Sequence, residues 1–267
     1  MREARLIMGM PIQIEIVSAS HPAPGALEGA QEQRGTRSDA DARDALEDAF
    51  AYFTEIDERF SPYKEDSEVS RLNRGALARE ALSDDFKEVL ALAEQAKRET
   101  HGYFDIKRPD GRTDPSGVVK GWAIRQAAAR VRARGFEHFS VNAGGDIAVS
   151  GKNADGDDWS VGIENPFNRT EIVKVVYPRG KGMATSGSYI RGAHIYDPHE
   201  PSRALDEVKS ITVIGPDVCA ADIFATAAFA MGKEGVAFIE SLPGFEAYQI
   251  DATMTATMTS GFAAYTS

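Results

Sequence analysis

The sequence predicts an α+β fold: one domain over residues 1–267 in which helices pack on a mixed, largely antiparallel sheet. Apolar residues recur with helical spacing in three long segments, 42–56, 86–96 and 118–134. From Phe139 onward short strand-like runs dominate, separated by Gly-rich or Asp-Gly turns. No internal repeat, low-complexity tract or linker forces a cut, so long helices interspersed with hairpins argue for a single α+β unit.

Taken in order, Met8-Gly9-Met10-Pro11 leads into a first strand in which Ile12, Ile14 and Ile16 alternate with Gln13 and Glu15. Residues 18–37 collect Pro, Gly, Ala, Gln and charge without periodicity and are expected to form a flexible loop. Ser38, with Asp41 three residues on, opens a helix whose apolar face runs through Ala42, Leu46, Phe50, Phe53 and Ile56 until Ser61-Pro62. The stretch 60–75, FSPYKEDSEVSRLNRG, reads as a turn-rich connection. Ser83 caps a helix carrying Phe86, Val89, Leu90, Ala93 and Ala96, stopped by Gly102. After a polar loop ending at Asp114-Pro115-Ser116-Gly117, Val118 to Arg134 is the third long helix, stopped by Gly135. Lys120 in its first turn opposes the helix dipole, which is unfavourable unless an anion lies there; the alternative is a solvent-facing lysine.

Strands are expected at 139–141, 147–149, 159–163 and 172–177. Between the first two, Gly144-Gly145 permits positive φ, either for a tight hairpin or for close approach of a ligand. Residues 183–197, MATSGSYIRGAHIYD, read as two short strands joined by a hydroxyl-rich turn, where Thr185, Ser186, Tyr189 and His194 offer donors and acceptors suited to ribose, phosphate or a flavin edge. A single histidine such as His194 is equally the common structural case. A strand at 211–214 and a Gly215-Pro216 turn precede the helix 220–231, and a further helix near 236–239 and strands at 245–250 and 253–258 close the chain. On the 220–231 helix Asp222 and Thr226 stand four residues apart on one face. Two hard oxygen donors one turn apart suit Mg²⁺ or Ca²⁺. Alternatively Asp222 caps the helix and Thr226 bonds back to a carbonyl one turn earlier.

Bulk properties exclude several classes. Thirty Lys and Arg against 41 Asp and Glu give a formal charge of −11, which argues against a nucleic-acid or anionic-membrane binder. The single cysteine, Cys219, excludes an internal disulfide and a cysteine-rich zinc site. No run of 18 apolar residues spans a membrane, and the strand-like N-terminus is not a signal peptide, so a cytoplasmic location is expected.

Several segments occur in one order: MG at 8–9, SPYKEDSEVSRLN, Phe104-Asp105, DPSGVVKGWAI, VNAGGDIAVSG, ATSGSY, HIYDP and ADIFATA. In that order they resemble the ApbE family of FAD-dependent protein FMN transferases, over nearly the whole chain. The resemblance implies an ApbE-like domain in which Asp222, Thr226 and the carbonyl of Val119 hold Mg²⁺. It implies that FAD lies among Met8, Gly9, Tyr63, Asn73, Gly117, Val118, Lys120, Gly144, Gly145, Thr185, Ser186, Gly187 and His194, with Tyr63 packed near the flavin. Asp222, His194 and Lys120 are the implied catalytic residues. The implied reaction is attack by a Thr or Ser hydroxyl of an acceptor protein on the FMN-side phosphorus of FAD, with AMP leaving. An FAD pyrophosphatase and a non-catalytic flavin-binding or storage protein are the alternatives. The expected partner is an acceptor flavoprotein with a segment of the type Asp-x-x-Ser/Thr-Gly-Ala-Thr, which this chain does not contain, so self-modification is not expected.

Three features depart from the family pattern. Only eight residues separate Asp105 from Asp114, where many members insert a longer segment with a Trp-Gly-Phe pattern. Arg125 stands where the family usually has Asp. No export signal or lipid-anchoring cysteine accompanies the motifs, which implies a cytoplasmic acceptor.

Overall fold

The computed structural model describes residues 1–18, 37–188 and 195–267. The interior of the expected 18–37 loop lies outside them, as do Tyr189 and His194. The described strands are β1 (Arg2–Ile7), β2 (Met10–Ile16), β3 (Phe139–Ala143), β4 (Asp146–Ser150), β5 (Val161–Asn165), β6 (Asn168–Val176), β7 (Gly182–Gly187), β8 (Val208–Gly215), β9 (Glu246–Asp251) and β10 (Ala256–Met258). Eight of them form one sheet in the order β1-β2-β3-β4-β7-β8-β9-β10, antiparallel at each pairing, while β5 and β6 form a separate two-stranded ribbon. The helices are α1 (Asp39–Phe60), α2 (Glu68–Asn73), α3 (Asp84–Glu99), α4 (Ser116–Ala133), α5 (Val218–Met231) and α6 (Gly235–Glu240).

The α+β expectation holds, and the long helices fall where capping and periodicity put them. Ser38 and Asp41 form a reciprocal capping box, and the expected stripe of α1 is buried. Ser83 caps α3 through the Phe86 N–H at 3.2 Å. Two elements escaped the sequence reading. β1 is an edge strand of mixed polar and apolar residues, joined to β2 by a turn with Met8 and Gly9 both at positive φ. The connection 60–75 contains α2, capped by Ser67, which is too short to show a period. One boundary carries a consequence: Asp217, not Asp222, caps α5, accepting from the Cys219 and Ala220 N–H groups at 2.8 and 3.0 Å. That leaves the Asp222 carboxylate for tertiary contacts.

Strand alternation sorts the core. Ile12, Ile14, Ile16, Phe139 and Val141 face α1, α3 and α4, with Trp122 fully buried among them. Ala184, Ile211 and Val213 face α5 and α6. On the opposite side of the sheet, Ile147, Met183, Ile214 and Tyr248 pack against Trp159, Val161 and Val176 of the β5–β6 region. α4 and α5 touch at Gly121, where a Cβ would stand 2.8 Å from both Asp222 Cβ and Cys219 Cα, so any larger residue there would push the helices apart. Cys219 is buried at this crossing, its thiol pushed up to about 12 by burial, and serves as a small packing residue. Among the described residues no helix is long and apolar enough to cross a membrane.

Candidate functional site

The α4–α5 crossing brings the second turn of α5 against the first turns of α4 and the start of β4. Asp222 is 2% exposed; its Oδ2 accepts from the Gly121 N–H at 2.9 Å and its Oδ1 lies 3.1 Å from Lys120 Nζ. The same ammonium touches Oδ2 of Asp146, the first residue of β4, whose Oδ1 accepts from the Thr185 N–H at 3.0 Å. One turn along α5, Thr226 Oγ1 meets Ser186 Oγ at 3.4 Å. Lys120 therefore has anions at its helix start, and they are two carboxylates of this chain. Burial pushes the Asp222 carboxyl up, the Lys120 charge pulls it back, and neighbouring Asp146 adds to the rise.

The cluster fits a further cation. Two buried carboxylates share one ammonium, so with both ionised the group, held away from water, would be one positive charge short. Asp146 Oδ2 touches the ammonium yet has no aligned hydrogen bond. Among the described residues no group of three or more His, Cys, Asp or Glu is gathered for a metal, so a cage made wholly of such side chains is not built here. One or two carboxylates with a threonine hydroxyl match Mg²⁺ instead, which keeps waters and takes its remaining oxygens from bound phosphates. Val119 has its side chain in the core.

Lys120, Asp222, Thr226, Ser186 and Gly117 line a cleft whose opposite wall is the 105–114 segment. The enclosed space is about 120 Å³, well below the roughly 300–1,000 Å³ of sites that engulf a drug-sized molecule. It has room for the polar centre of a ligand. A second cleft, about 420 Å³, holds Gly9, Gly144 and Gly145 and shares Thr185 with the first. The hydroxyls of the adjacent β7 residues Thr185 and Ser186 have different partners: Ser186 meets Thr226, whereas the Thr185 hydroxyl pairs with Thr212 Oγ1 at 2.9 Å. Gly144-Gly145 is a hairpin turn with φ of 61° and 100°, and it also lies close to Met10, whose Sδ a Gly144 Cβ would approach to 3.1 Å.

Of the residues singled out from the sequence, Gly117, Lys120, Thr185, Ser186, Gly187, Asp222 and Thr226 meet at the first cleft. Gly9, Gly144 and Gly145 meet at the second, with Met8 in the turn beside Gly9. Three stand elsewhere. Tyr63 is 94% exposed on the α1–α2 connection and is not among the residues lining either cleft. Val118 is wholly buried in the core. Asn73 spends its amide on the backbone of Thr113, donating to its carbonyl and accepting from its N–H, both at 2.8 Å. His194 lies outside the described residues.

Asp146, Arg108 and Asp114 were not singled out. Asp146 was visible in VNAGGDIAVSG as a lone acid after the glycine turn, but its partner Lys120 belongs to another motif. The short 105–114 segment closes as a tight hairpin: Lys107 bridges Thr113, the Arg108 N–H donates to the Arg112 carbonyl at 2.9 Å, and the Asp114 N–H donates to the Ile106 carbonyl at 2.8 Å. Arg125 lies between Glu88 of α3, at 3.2 Å, and the α5 cap Asp217, at 3.9 Å, so the charge at this position has acidic neighbours on both sides.

Fold and cleft together define an α+β protein with a small, charge-lined polar site where two helices meet a strand end. Comparison with known proteins narrows the class: the ApbE family model matches residues 8–108 and 106–249, most of the chain, and this protein belongs to the ApbE family. The chain is 31% identical over 168 residues to the FAD:protein FMN transferase of Vibrio cholerae, covering 60% of this chain and 49% of that protein. It is 26% identical over 251 residues to the FAD:protein FMN transferase of Haemophilus influenzae, covering 70% and 72%. The chain thus spans about half the length of the Vibrio relative. Among solved structures it is similar to the flavin transferase ApbE from Vibrio cholerae (TM-score 0.80, 22% identity, 99% and 98% of the two chains covered). It is also similar to the ApbE protein from Thermotoga maritima (TM-score 0.82, 19% identity, 100% and 99% covered). At these identities the two structures establish a shared fold.

Proposed function

We propose that the protein moves FMN from FAD to a Thr or Ser hydroxyl of an acceptor protein. The acceptor oxygen loses its proton, to solvent or to the departing AMP, and forms a bond to the FMN-side phosphorus; the bond from that phosphorus to the bridging oxygen breaks, and AMP leaves with the bonding pair. The observation that carries this reading is the buried Lys120–Asp146–Asp222 cluster opening through Thr226 and Ser186 into the cleft, a charge arrangement suited to a cation with a diphosphate. The names of the relatives point the same way.

Each residue has a physical task in this reading. Asp222 and Thr226, with the Val119 carbonyl, would hold Mg²⁺, which when bound neutralises charge on the diphosphate. The Gly121 N–H fixes the Asp222 carboxylate, and the Thr185 N–H fixes Asp146, so Lys120 is held between two oriented acids. Its ammonium offsets charge that builds on the phosphate oxygens as the bond breaks. Transfer of this kind needs mainly positioning and charge stabilisation, so a nucleophilic triad is not required. The flavin and adenylate ends extend beyond the small enclosed space, one of them toward the Gly144-Gly145 cleft. The acceptor is a separate protein carrying the Asp-x-x-Ser/Thr-Gly-Ala-Thr type of segment.

The test is incubation with FAD, Mg²⁺ and a peptide bearing that segment, reading AMP, free FMN and peptide mass. An FMN adduct on the peptide is the expected result. AMP with free FMN alone would replace transfer by hydrolysis, and bound, intact FAD would replace it by storage.

A further inference from the structure

The short hairpin at 105–114 supplies a wall of the cleft. Of the described residues that line the cleft, Lys120 and Arg108 are the cations. Lys120 is already placed between Asp146 and Asp222. A diphosphate held at this floor brings more negative charge than the floor offsets, and Arg108 is the positive group facing it from the hairpin.

Arg108 is held in a way that suits exchange of partners. Its contacts to Asp114, at 3.4 Å, and Asp110, at 3.9 Å, are long, and its side chain is 53% exposed. Exposed pairs of this kind are worth about 0–1 kcal/mol, whereas a guanidinium meets phosphate with two parallel, charge-assisted hydrogen bonds. Asp114 is not stranded when Arg108 turns away, because its Oδ1 accepts from the Ser116 N–H at 3.2 Å and from the Ser116 hydroxyl at 2.5 Å. The backbone beneath Arg108 is fixed. Its N–H donates to the Arg112 carbonyl and its carbonyl accepts from the Gly111 N–H, both at 2.9 Å. Asn73 clamps Thr113 by two bonds, and the Tyr196 hydroxyl donates to the Lys107 carbonyl at 3.3 Å. The result is a rigid hairpin carrying one side chain that is free to choose between carboxylate and phosphate.

We infer that Arg108 binds the phosphate on the adenylate, leaving-group side of the diphosphate, and so favours dinucleotide over mononucleotide flavin. This rests on the FAD reading above: the phosphorus under attack lies at the Lys120–Asp222 floor, which leaves the second phosphate for the hairpin wall. Arg112 is the internal control. It sits on the same hairpin and carries the same charge, but lines a different cleft, on the Asn73 side.

The experiment is calorimetric titration of the full-length protein with ADP and, separately, with FMN, for wild type, Arg108→Ala, Arg108→Lys and Arg112→Ala. Arg108→Ala weakens ADP about tenfold, the size expected for loss of a charged hydrogen-bonded contact. Arg108→Lys, which keeps the charge and loses the fork, weakens it about threefold. FMN affinity stays within twofold throughout, as does ADP affinity for Arg112→Ala. In turnover, Arg108→Ala raises the KM for FAD and weakens inhibition by AMP in the same ratio. Equal ADP affinity in wild type and Arg108→Ala, an equal loss in Arg112→Ala, or no ADP binding by wild type overturns the assignment. Failure of the transferase reading looks different: wild type binds FAD and ADP but releases no AMP, and the ADP comparison still judges Arg108.

Discussion

Two triads of the same charge type stand at the cleft, Lys120 between Asp146 and Asp222 at the floor and Arg108 between Asp110 and Asp114 on the hairpin wall; Lys120, Asp222, Arg108 and Asp114 line it. Each puts one cation between two carboxylates. At the floor the side chains are 16%, 1% and 3% exposed, and each carboxylate also accepts a backbone N–H. On the wall the corresponding values are 53%, 50% and 24%, and water reaches all three. The floor is therefore a fixed charge constellation that would be costly to disturb, and the wall is an exchangeable one. Under the proposed reaction, a site holding a cation and a diphosphate would use both, since the floor provides orientation and the wall can give up its partners.

Removing the central cation is the harshest way to break the contrast. Lys120→Met leaves two buried carboxylates facing each other, and urea unfolding of the metal-free protein should show a loss of about 3 kcal/mol. A loss under about 0.5 kcal/mol would mean that water reaches the floor as it does the wall. The next effect is a gain on the wild type: Mg²⁺ at about 100 times its dissociation constant should stabilise the protein by about 2.7 kcal/mol. Chelation reverses the shift, and Asp222→Ala abolishes it. A full shift in that variant would remove Asp222 from the metal site. Asn73→Ala takes away both bonds to Thr113 and should cost about 1 kcal/mol, read as faster proteolysis or amide exchange confined to 106–113. The smallest effect is that of Arg108→Ala on folding, within about 0.5 kcal/mol in the same unfolding assay.

How much of this was legible in the sequence differs by residue. α1 and α3 could be read from Ser38, Asp41 and Ser83 because caps and helical stripes act within a few residues. β1 could not, because an edge strand with Arg2, Glu3 and Arg5 along it has no clean alternation, and its pairing partner was needed to define it. Asp222 and Thr226 were visible as a pair. That Asp222 is not the cap depended on Asp217 taking the N–H groups of α5 first. Lys120 was visible as an anomaly whose resolution, Asp146, came from another element. Asn73 was grouped with the cofactor residues by resemblance; in the fold its amide secures the 105–114 hairpin through the Thr113 backbone.

By itself, then, the sequence determined the α+β class, the long helices and the order of motifs that marks the ApbE family. Each of these follows from local sterics, capping and periodicity, or from the chain order itself. Tertiary structure alone decided which charges share burial. The Gly121 N–H and the Asp222 carboxylate are 101 residues apart in sequence, and they meet because Gly121 is small enough for α4 and α5 to touch. Tertiary structure also decided that the hydroxyls of Thr185 and Ser186, neighbours in the chain, meet different partners, Thr212 on β8 and Thr226 on α5, since successive side chains of a strand point to opposite faces of the sheet.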